Sequence, residues 1–252
     1  TIIFVPYWSV NQGAVDGDYD RLIYFGVTPT TNGLNEFDDG YQNISAYNKL
    51  FLTGQKLLAV RMVNSDLNLA ILEDENAQDL IISATIETAR QNDFSGIVLD
   101  LELFSLFNEE VPEHINAFVS DFSRASKQNS LYFAIAIYGD VFYRRRPFDV
   151  ETIAAQVDEV MIMTYDFSKS KGEPGPNFPL SGKEKYGYDL KTMLQDFLAV
   201  APPEKLSVIF GMYGYDWTVD EKKRPIKPAE ALSDNEIRQN YLDICDKKNC
   251  VV

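Results

Sequence analysis

The sequence predicts an α/β fold, a (β/α)8 barrel of the TIM type, on three observations. Short apolar, β-branched runs recur along the chain. Segments with a helical period of 3.6 separate them. The length, 252 residues, is close to the roughly 250 typical of one such barrel. The runs are continuous rather than alternating, which suits parallel strands covered on both faces. Repeated βα units imply either a doubly wound sheet or a barrel, and the length and number of units favour the barrel.

Seven strands are expected, at 2–9, 20–29, 56–65, 94–103, 131–139, 159–167 and 205–214. The helices between them are read from apolar stripes: Ile82, Ile86 and Ala89; Ile115, Phe118, Val119 and Phe122; Val150, Ile153, Ala154 and Val157; Leu190, Met193, Leu194, Phe197 and Leu198. Ser233 with Glu236 three residues later makes a capping box for a last helix carrying Ile237, Tyr241 and Ile244. The segments 30–46 and 168–187 are long loops rich in Gly, Pro and Asn, of a length that is usually functional. With no low-complexity linker and no shift in composition, residues 1–252 are expected to form a single domain. An eighth strand is not evident. A missed strand, a truncated C-terminus or another segment closing the gap would each account for that, since an open barrel leaves two unpaired edges.

Composition narrows the function classes. Apolar residues at 45% and charged ones at 24% are the balance of a soluble globular protein and argue against a disordered chain. No stretch approaches the ~20 apolar residues of a membrane span, so no membrane insertion is expected. Lys and Arg total 23 against 38 Asp and Glu, a formal charge of −15 that repels phosphate backbones and excludes nucleic acid as the favoured ligand. A neutral polysaccharide meets no such penalty. Cys245 and Cys250 read as free thiols, or as a local disulfide if the helix ends between them in an oxidising compartment. They do not make a zinc site, which needs two more ligands while the one histidine, His114, is far away in sequence. His114 itself falls in the first turn of a helix, on a solvated face. A lone histidine also weakens any Ser-His-Asp or Cys-His mechanism.

The most informative window is Phe94-Ser95-Gly96-Ile97-Val98-Leu99-Asp100-Leu101-Glu102. Two acids interrupt a strand that otherwise reads as buried. Side chains alternate along a strand, so Val98, Asp100 and Glu102 face one way and Ile97, Leu99 and Leu101 the other. In a barrel, Asp100 and Glu102 would rise from the interior at the C-terminal mouth, where barrel enzymes work. Buried carboxylates are costly unless paired, hydrogen-bonded or protonated, and a raised pKa is what a general acid needs. A structural ion pair at the strand end is the plain alternative. Arg61, in the third strand beside the fourth, is odd for a buried run. If it points inward, Asp100 is a candidate partner; contact with Glu102 instead would depress the acid; a snorkelling arginine at the strand end is the remaining reading.

At these residues the chain resembles the family 18 glycoside hydrolases, the chitinase-like superfamily. Their fourth-strand signature, Asp-x-x-Asp-x-Asp-x-Glu, fits the window without a gap, with Asp100 and Glu102 at its last two acidic positions and Ser95 and Val98 where the first two aspartates would stand. Met161-Ile162-Met163-Thr164-Tyr165-Asp166 is similar to the sixth-strand Met-x-Tyr-Asp motif, and Phe210-Gly211-Met212-Tyr213-Gly214-Tyr215-Asp216-Trp217 to the seventh-strand Tyr-Gly region. With Gly175-Pro176-Asn177-Phe178-Pro179-Leu180, the last form resembles a branch holding spore-cortex N-acetylglucosaminidases and chitinase-domain-like proteins. Tyr7-Trp8 at the end of the first strand also suits the family. The resemblance runs through essentially the whole chain.

The resemblance implies a retaining glycosidase acting on β-linked N-acetylglucosamine glycans such as chitin or peptidoglycan, in which the substrate's own acetamide attacks the anomeric carbon. Carried over, Glu102 is the general acid and then base, Asp100 orients the acetamide and stabilises its growing positive charge, and Tyr165 hydrogen-bonds it. Asp166, Tyr213, Trp217, Trp8 and Tyr7 are the implied sugar contacts. No cofactor and no metal is implied. Val98 and Ser95 in place of aspartates imply slower catalysis, and no tryptophan after Trp217 supplies the floor that the family's eighth strand brings. A non-catalytic chitinase-like lectin is therefore the alternative. An unrelated phosphate-handling barrel lacks the Gly-rich loop it would need. Arg144-Arg145-Arg146 reads as a solvated loop, or as a contact for an anionic glycan substituent. The glycan class implies a secreted or cell-surface location.

Overall fold

The computed structural model describes residues 1–11, 17–50, 53–103 and 108–242. They cluster into two compact units. The first comprises Thr1–Ile137, Arg144–Met161 and Phe197–Ser207; the second comprises Tyr138–Tyr143, Ile162–Asp196 and the residues from Val208.

All seven expected strands are present: β1 Ile2–Pro6, β2 Arg21–Val27, β3 Gln55–Met62, β4 Gly96–Leu101, β5 Tyr132–Tyr138, β6 Glu159–Thr164 and β7 Leu206–Phe210. They pair in that order in one seven-stranded sheet, and β1 to β5 are parallel. Among the described residues this sheet has no eighth strand. Cys245, Cys250 and Ile244 lie outside the described residues.

In the first unit the crossovers are the helices α1 Ser65–Leu72, α2 Glu75–Gln91, α3 Val111–Gln128 and α4 Val150–Gln156. Their stripes face inward as the spacing requires: Ile82, Ile86, Ala89, Ile115, Phe118, Val119, Phe122, Val150, Ile153 and Ala154 are all buried. His114 is in the first turn of α3 and half-buried. Phe122 of α3 stacks on Phe133 of β5 with ring centroids 5.0 Å apart. Asn64 caps α1 and Asp74 caps α2 by accepting from backbone N–H groups of the first turn. Every residue of β4 is buried, which is why its sequence reads as a nearly unbroken apolar run.

Register assigns the faces. Arg21, Ile23 and Phe25 of β2, Leu57, Ala59 and Arg61 of β3, Gly96, Val98 and Asp100 of β4, and Tyr132, Ala134 and Ala136 of β5 share one side of the sheet. Phe133, on the other side, meets the helices. The first side is therefore the one a barrel turns inward. At its N-terminal end lies a buried polar knot. Arg21 donates to both oxygens of Glu159, Tyr132 Oη donates to Glu159 Oε2 at 2.5 Å, and Ser207 Oγ donates to Glu159 Oε1. At its C-terminal end lie Arg61 and Asp100.

The second unit holds the distal residues of β6 and β7 and the start of helix α5 Leu190–Val200. Met193 and Phe197 of α5 are fully buried, whereas Leu198 is 50% exposed, so the expected stripe is one residue too wide. A hairpin of β8 Tyr213–Asp216 and β9 Glu230–Ser233 was not expected; the seventh run ends at Phe210 and the chain turns into a separate antiparallel pair. The capping box is present: Ser233 opens the one-turn helix α6 Asp234–Ile237, and Glu236 reaches back to the Ser233 N–H. The segment 30–46 contains a two-residue hairpin and two one-turn helices, and 168–187 contains only the turn Lys183–Tyr186. Among the described residues no helix is long and apolar enough to cross a membrane.

Candidate active site

In the first unit, β4 carries the acids. Val98 lies between Ala59 and Ala134 in register and is fully buried, so the layer beneath Asp100 is wholly apolar. One alternate position further, Asp100 is 3% exposed and sits between Arg61 of β3 and Ala136 of β5. Glu102 follows the strand. Its N–H donates to Met62 O at 2.8 Å and its carbonyl accepts from Asn68 Nδ2 at 2.9 Å, which fixes the backbone where the side chain leaves the sheet. Glu102 is half-buried. Burial pushes the Asp100 carboxyl up to about 8, the Glu102 charge pushes the same way, and Arg61 opposes both. At neutral pH Asp100 therefore carries a proton, beside the Glu102 side chain.

Arg61 points inward, as the alternation allowed. Its guanidinium lies 4.8 Å from the Phe25 ring centroid, 5.5 Å from that of Tyr7 and 5.8 Å from that of Trp8. Its Nε is buried and makes no hydrogen bond. Tyr7 and Trp8 form a one-turn 3₁₀ helix directly after β1, ring to ring at 5.0 Å and nearly perpendicular. Trp8 is 52% exposed, so much of its apolar indole surface is open to solvent. Ser95, at the base of the strand, uses its hydroxyl on Lys56 O at 3.1 Å. The Arg144–Arg146 loop belongs to this unit, with Arg145 exposed.

In the second unit, Tyr165, Asp166, Tyr213 and Trp217 come together. Asp166, two residues past the end of β6, is in the left-handed region, φ +57°, a conformation that Asp tolerates better than most residues. Its N–H donates to Asn177 Oδ1 at 2.7 Å, and Asn177 Nδ2 donates to Tyr213 O at 2.9 Å. The hydroxyls of Tyr213 and of Tyr215 (2.7 Å) both donate to Asp166 Oδ1. Burial first, and the bond to Asp166 second, hold Tyr213 far above the usual phenol range; the same causes push Tyr215 up to about 12. Both remain neutral donors. Tyr165 is half-buried and meets Tyr213 edge-on at 6.1 Å. That approach needs Gly211, because a Cβ there would fall 2.9 Å from Tyr165 Cβ and 2.7 Å from Tyr213 Cε1. Trp217 packs edge-on against Tyr215 at 5.5 Å, and its indole N–H is buried without a hydrogen-bond partner.

Asn177 and Tyr215 are missed as individual residues by the sequence reading. Both lie inside quoted motifs, and a polar residue in the Gly175-Pro176-Asn177 turn was the available signal. Among the described residues no group of three or more His, Cys, Asp or Glu side chains is gathered as a metal ion would require.

Comparison with known proteins identifies the family and the fold. The family model described as glycosyl hydrolases family 18 matches residues 18–250. A cortical fragment-lytic enzyme of Bacillus anthracis is 27% identical over 174 residues, covering 68% of this chain and 38% of its own length. One from Bacillus subtilis (strain 168) is 24% identical over 196 residues, covering 75% and 42%. The chain thus spans about two fifths of the length of these curated relatives. Among solved structures, the family 18 chitinase of Cycas revoluta in complex with (GlcNAc)3 superposes with a TM-score of 0.79 at 21% identity, covering 96% of this chain and 79% of that one. The class V chitinase of Nicotiana tobaccum gives 0.80 at 16% identity, covering 96% and 78%. These likenesses establish the (β/α)8 fold class. The family match begins just before β2 and runs beyond α6, across both units and all three motif strands, and the protein is a member of the glycosyl hydrolases family 18.

Proposed function

We propose that the chain is the catalytic domain of a retaining glycosidase that cleaves β-linked N-acetylglucosamine glycans, of the peptidoglycan or chitin kind, outside the cell membrane. One observation carries the reading: two carboxylates one alternate position apart on one face at the end of β4, the inner one buried and pushed up to about 8. Membership of the family and the likeness to cortical fragment-lytic enzymes support the substrate class.

In this reaction Glu102 gives its proton to the glycosidic oxygen as the bond to the anomeric carbon breaks. The substrate's acetamide oxygen supplies the electron pair that replaces the leaving group, giving an oxazolinium ion. Asp100 faces the growing positive charge, which favours its ionised form. Glu102, now a carboxylate, takes a proton from water as the water attacks the anomeric carbon; the acetamide is released and configuration is retained. Tyr165 takes the family's role of donor to the acetamide, and Trp8, Tyr7, Trp217, Asp166 and Tyr213 that of sugar contacts. Because the Tyr213 and Tyr215 hydroxyls both donate to Asp166, Asp166 acts chiefly by orienting Tyr213.

The test is turnover of an aryl N-acetylglucosaminide and of chito-oligomers. Glu102→Gln is expected to lower kcat by about 10²–10⁴-fold, the usual worth of a general acid, with binding retained. Wild-type turnover in that variant would refute the assignment. The apolar burial of Val98, where the family signature has an acid, favours a second reading, a glycan-binding protein without activity. Saturable binding by the wild type with no product after long incubation would select it.

A further inference from the structure

One turn into α1, at Asn68, an amide side chain is fully buried on a face otherwise carried by Ile71 and Leu72. An apolar residue is the ordinary occupant of such a position, and Asn is a weak helix former. Here the amide serves two carbonyls. Asn68 Nδ2 donates to Met62 O at 2.6 Å and to Glu102 O at 2.9 Å. Met62 O also accepts from the Glu102 N–H at 2.8 Å, so three residues close one small network. We propose that Asn68 is a positioning residue of the glycosidase: its two donors clamp the backbone of Glu102 to the end of β3 and so aim the Glu102 carboxyl at the glycosidic oxygen.

This rests on the glycosidase reading and deepens it. The β3–β4 ladder ends at Met62 and Leu101, one residue before Glu102, where the chain leaves β3 to start α1 at Ser65. Glu102 O therefore lies past the last strand pairing and needs a donor from another element. Helix geometry brings it. Asn64 caps α1, the Asn68 N–H closes the first turn on Asn64 O at 2.8 Å, and helical side chains tilt toward the helix N-terminus, back to the point where the chain left the sheet. The residue type follows from the count of donors. Two carbonyls need two hydrogens on one short side chain; a hydroxyl has one, and a carboxylate has none and would repel both. The same amide has its Oδ1 buried with no hydrogen-bond partner among the described residues, which lowers its value to folding. What the clamp adds is precision at the acid. A general acid must lie within hydrogen-bond reach of the atom it protonates, and a misplacement of about 1 Å costs about 10²-fold.

The experiment measures kcat/KM of the wild type and of Asn68→Ala on the phenyl and the dinitrophenyl glycosides of a chito-oligomer. A phenoxide leaves poorly and needs the proton from Glu102. A dinitrophenoxide leaves as the anion without it, so only the first substrate depends on where the acid points. The ratio kcat/KM reports the steps up to glycosidic cleavage, ahead of the later hydrolysis in which Glu102 is the base. Asn68→Ala is expected to lose about 10²-fold on the phenyl glycoside and to change little on the dinitrophenyl one. Equal losses on both substrates, the mark of a merely structural residue, overturn the proposal, and so do wild-type values on both. Asn68→Ser, which keeps one donor, should show the same selectivity with a smaller loss. It decides the matter where Asn68→Ala does not fold, and the same two outcomes overturn the proposal. Hydrogen exchange of the Asn68 side-chain amide, followed by NMR in the wild type, reads the clamp without any substrate. Protons held between two buried carbonyls exchange slowly; exchange at the rate of a solvated amide overturns the proposal. Absence of wild-type turnover on both substrates would sink the glycosidase reading, while the exchange would still pass or fail the Asn68 clamp by itself.

Discussion

Asp100 has a consequence for stability as well as for chemistry. An unfolded aspartate titrates near 3.9, and the folded one near 8. Between those values the native state holds a proton that the unfolded chain has released, so stability falls as pH rises across the window, and the loss is complete once pH passes about 8. Asp100→Asn removes this dependence. The variant is expected to match the wild type in thermal stability near pH 4 and to exceed it progressively toward pH 8, while losing activity. Melting curves at several pH values check it, and a wild-type advantage that grows with pH would contradict the buried, proton-holding state. The spacing of Asp100 and Glu102, and their common face, were legible in the sequence because strand alternation is a local rule. The charge state was not, since it depends on Ala59, Ala134 and Arg61, which come from other strands.

At the scale of elements, the N-terminal ends of β2, β5, β6 and β7 are joined through one carboxylate. Glu159 has a side chain 5% exposed and accepts from Arg21, Tyr132 and Ser207, while the Arg21 side chain is 23% exposed. Removing one partner of a buried pair leaves the other uncompensated, at a cost of roughly 3–5 kcal/mol. Because Arg21 keeps some access to water, Glu159→Ala is expected near the lower end, about 3 kcal/mol, read as a lower urea midpoint with an unchanged slope. A loss below about 0.5 kcal/mol, the level of an ordinary surface change, would mean that the knot contributes little. Each of its members reads in sequence as an unremarkable polar residue at a strand edge, so nothing local marks it. The same holds for the β8–β9 hairpin, whose strands are joined by a long connection rather than by a two-residue turn signal.

For the whole molecule, the charge of −15 is the dominant sequence-level property. Like charges at that excess repel one another in the compact state, and the repulsion reaches about 30 Å at 0.01 M salt but only about 8 Å at 0.15 M. Thermal stability is therefore expected to rise from low to physiological ionic strength, measured as Tm at constant pH. A fall would show that attractive surface pairs, such as Arg224–Asp220 and Arg238–Asp234, outweigh the net repulsion. The excess is compatible with an uncharged glycan and works against a phosphate-rich ligand.

The number and order of the strands in the main sheet, the helical stripes, the Ser233 capping box and the face shared by Asp100 and Glu102 were determined by the sequence alone. Each follows from a repeat of covalent geometry, two residues for a strand and 3.6 for a helix, which the order of residues carries locally. Only the tertiary structure decided that burial pushes the Asp100 carboxyl up, that Arg61 pairs in register with Asp100 among three rings, and that Asn177, Tyr213 and Tyr215 converge on Asp166. Those outcomes depend on desolvation and on neighbours brought from distant parts of the chain, and neither is set by any short stretch of residues.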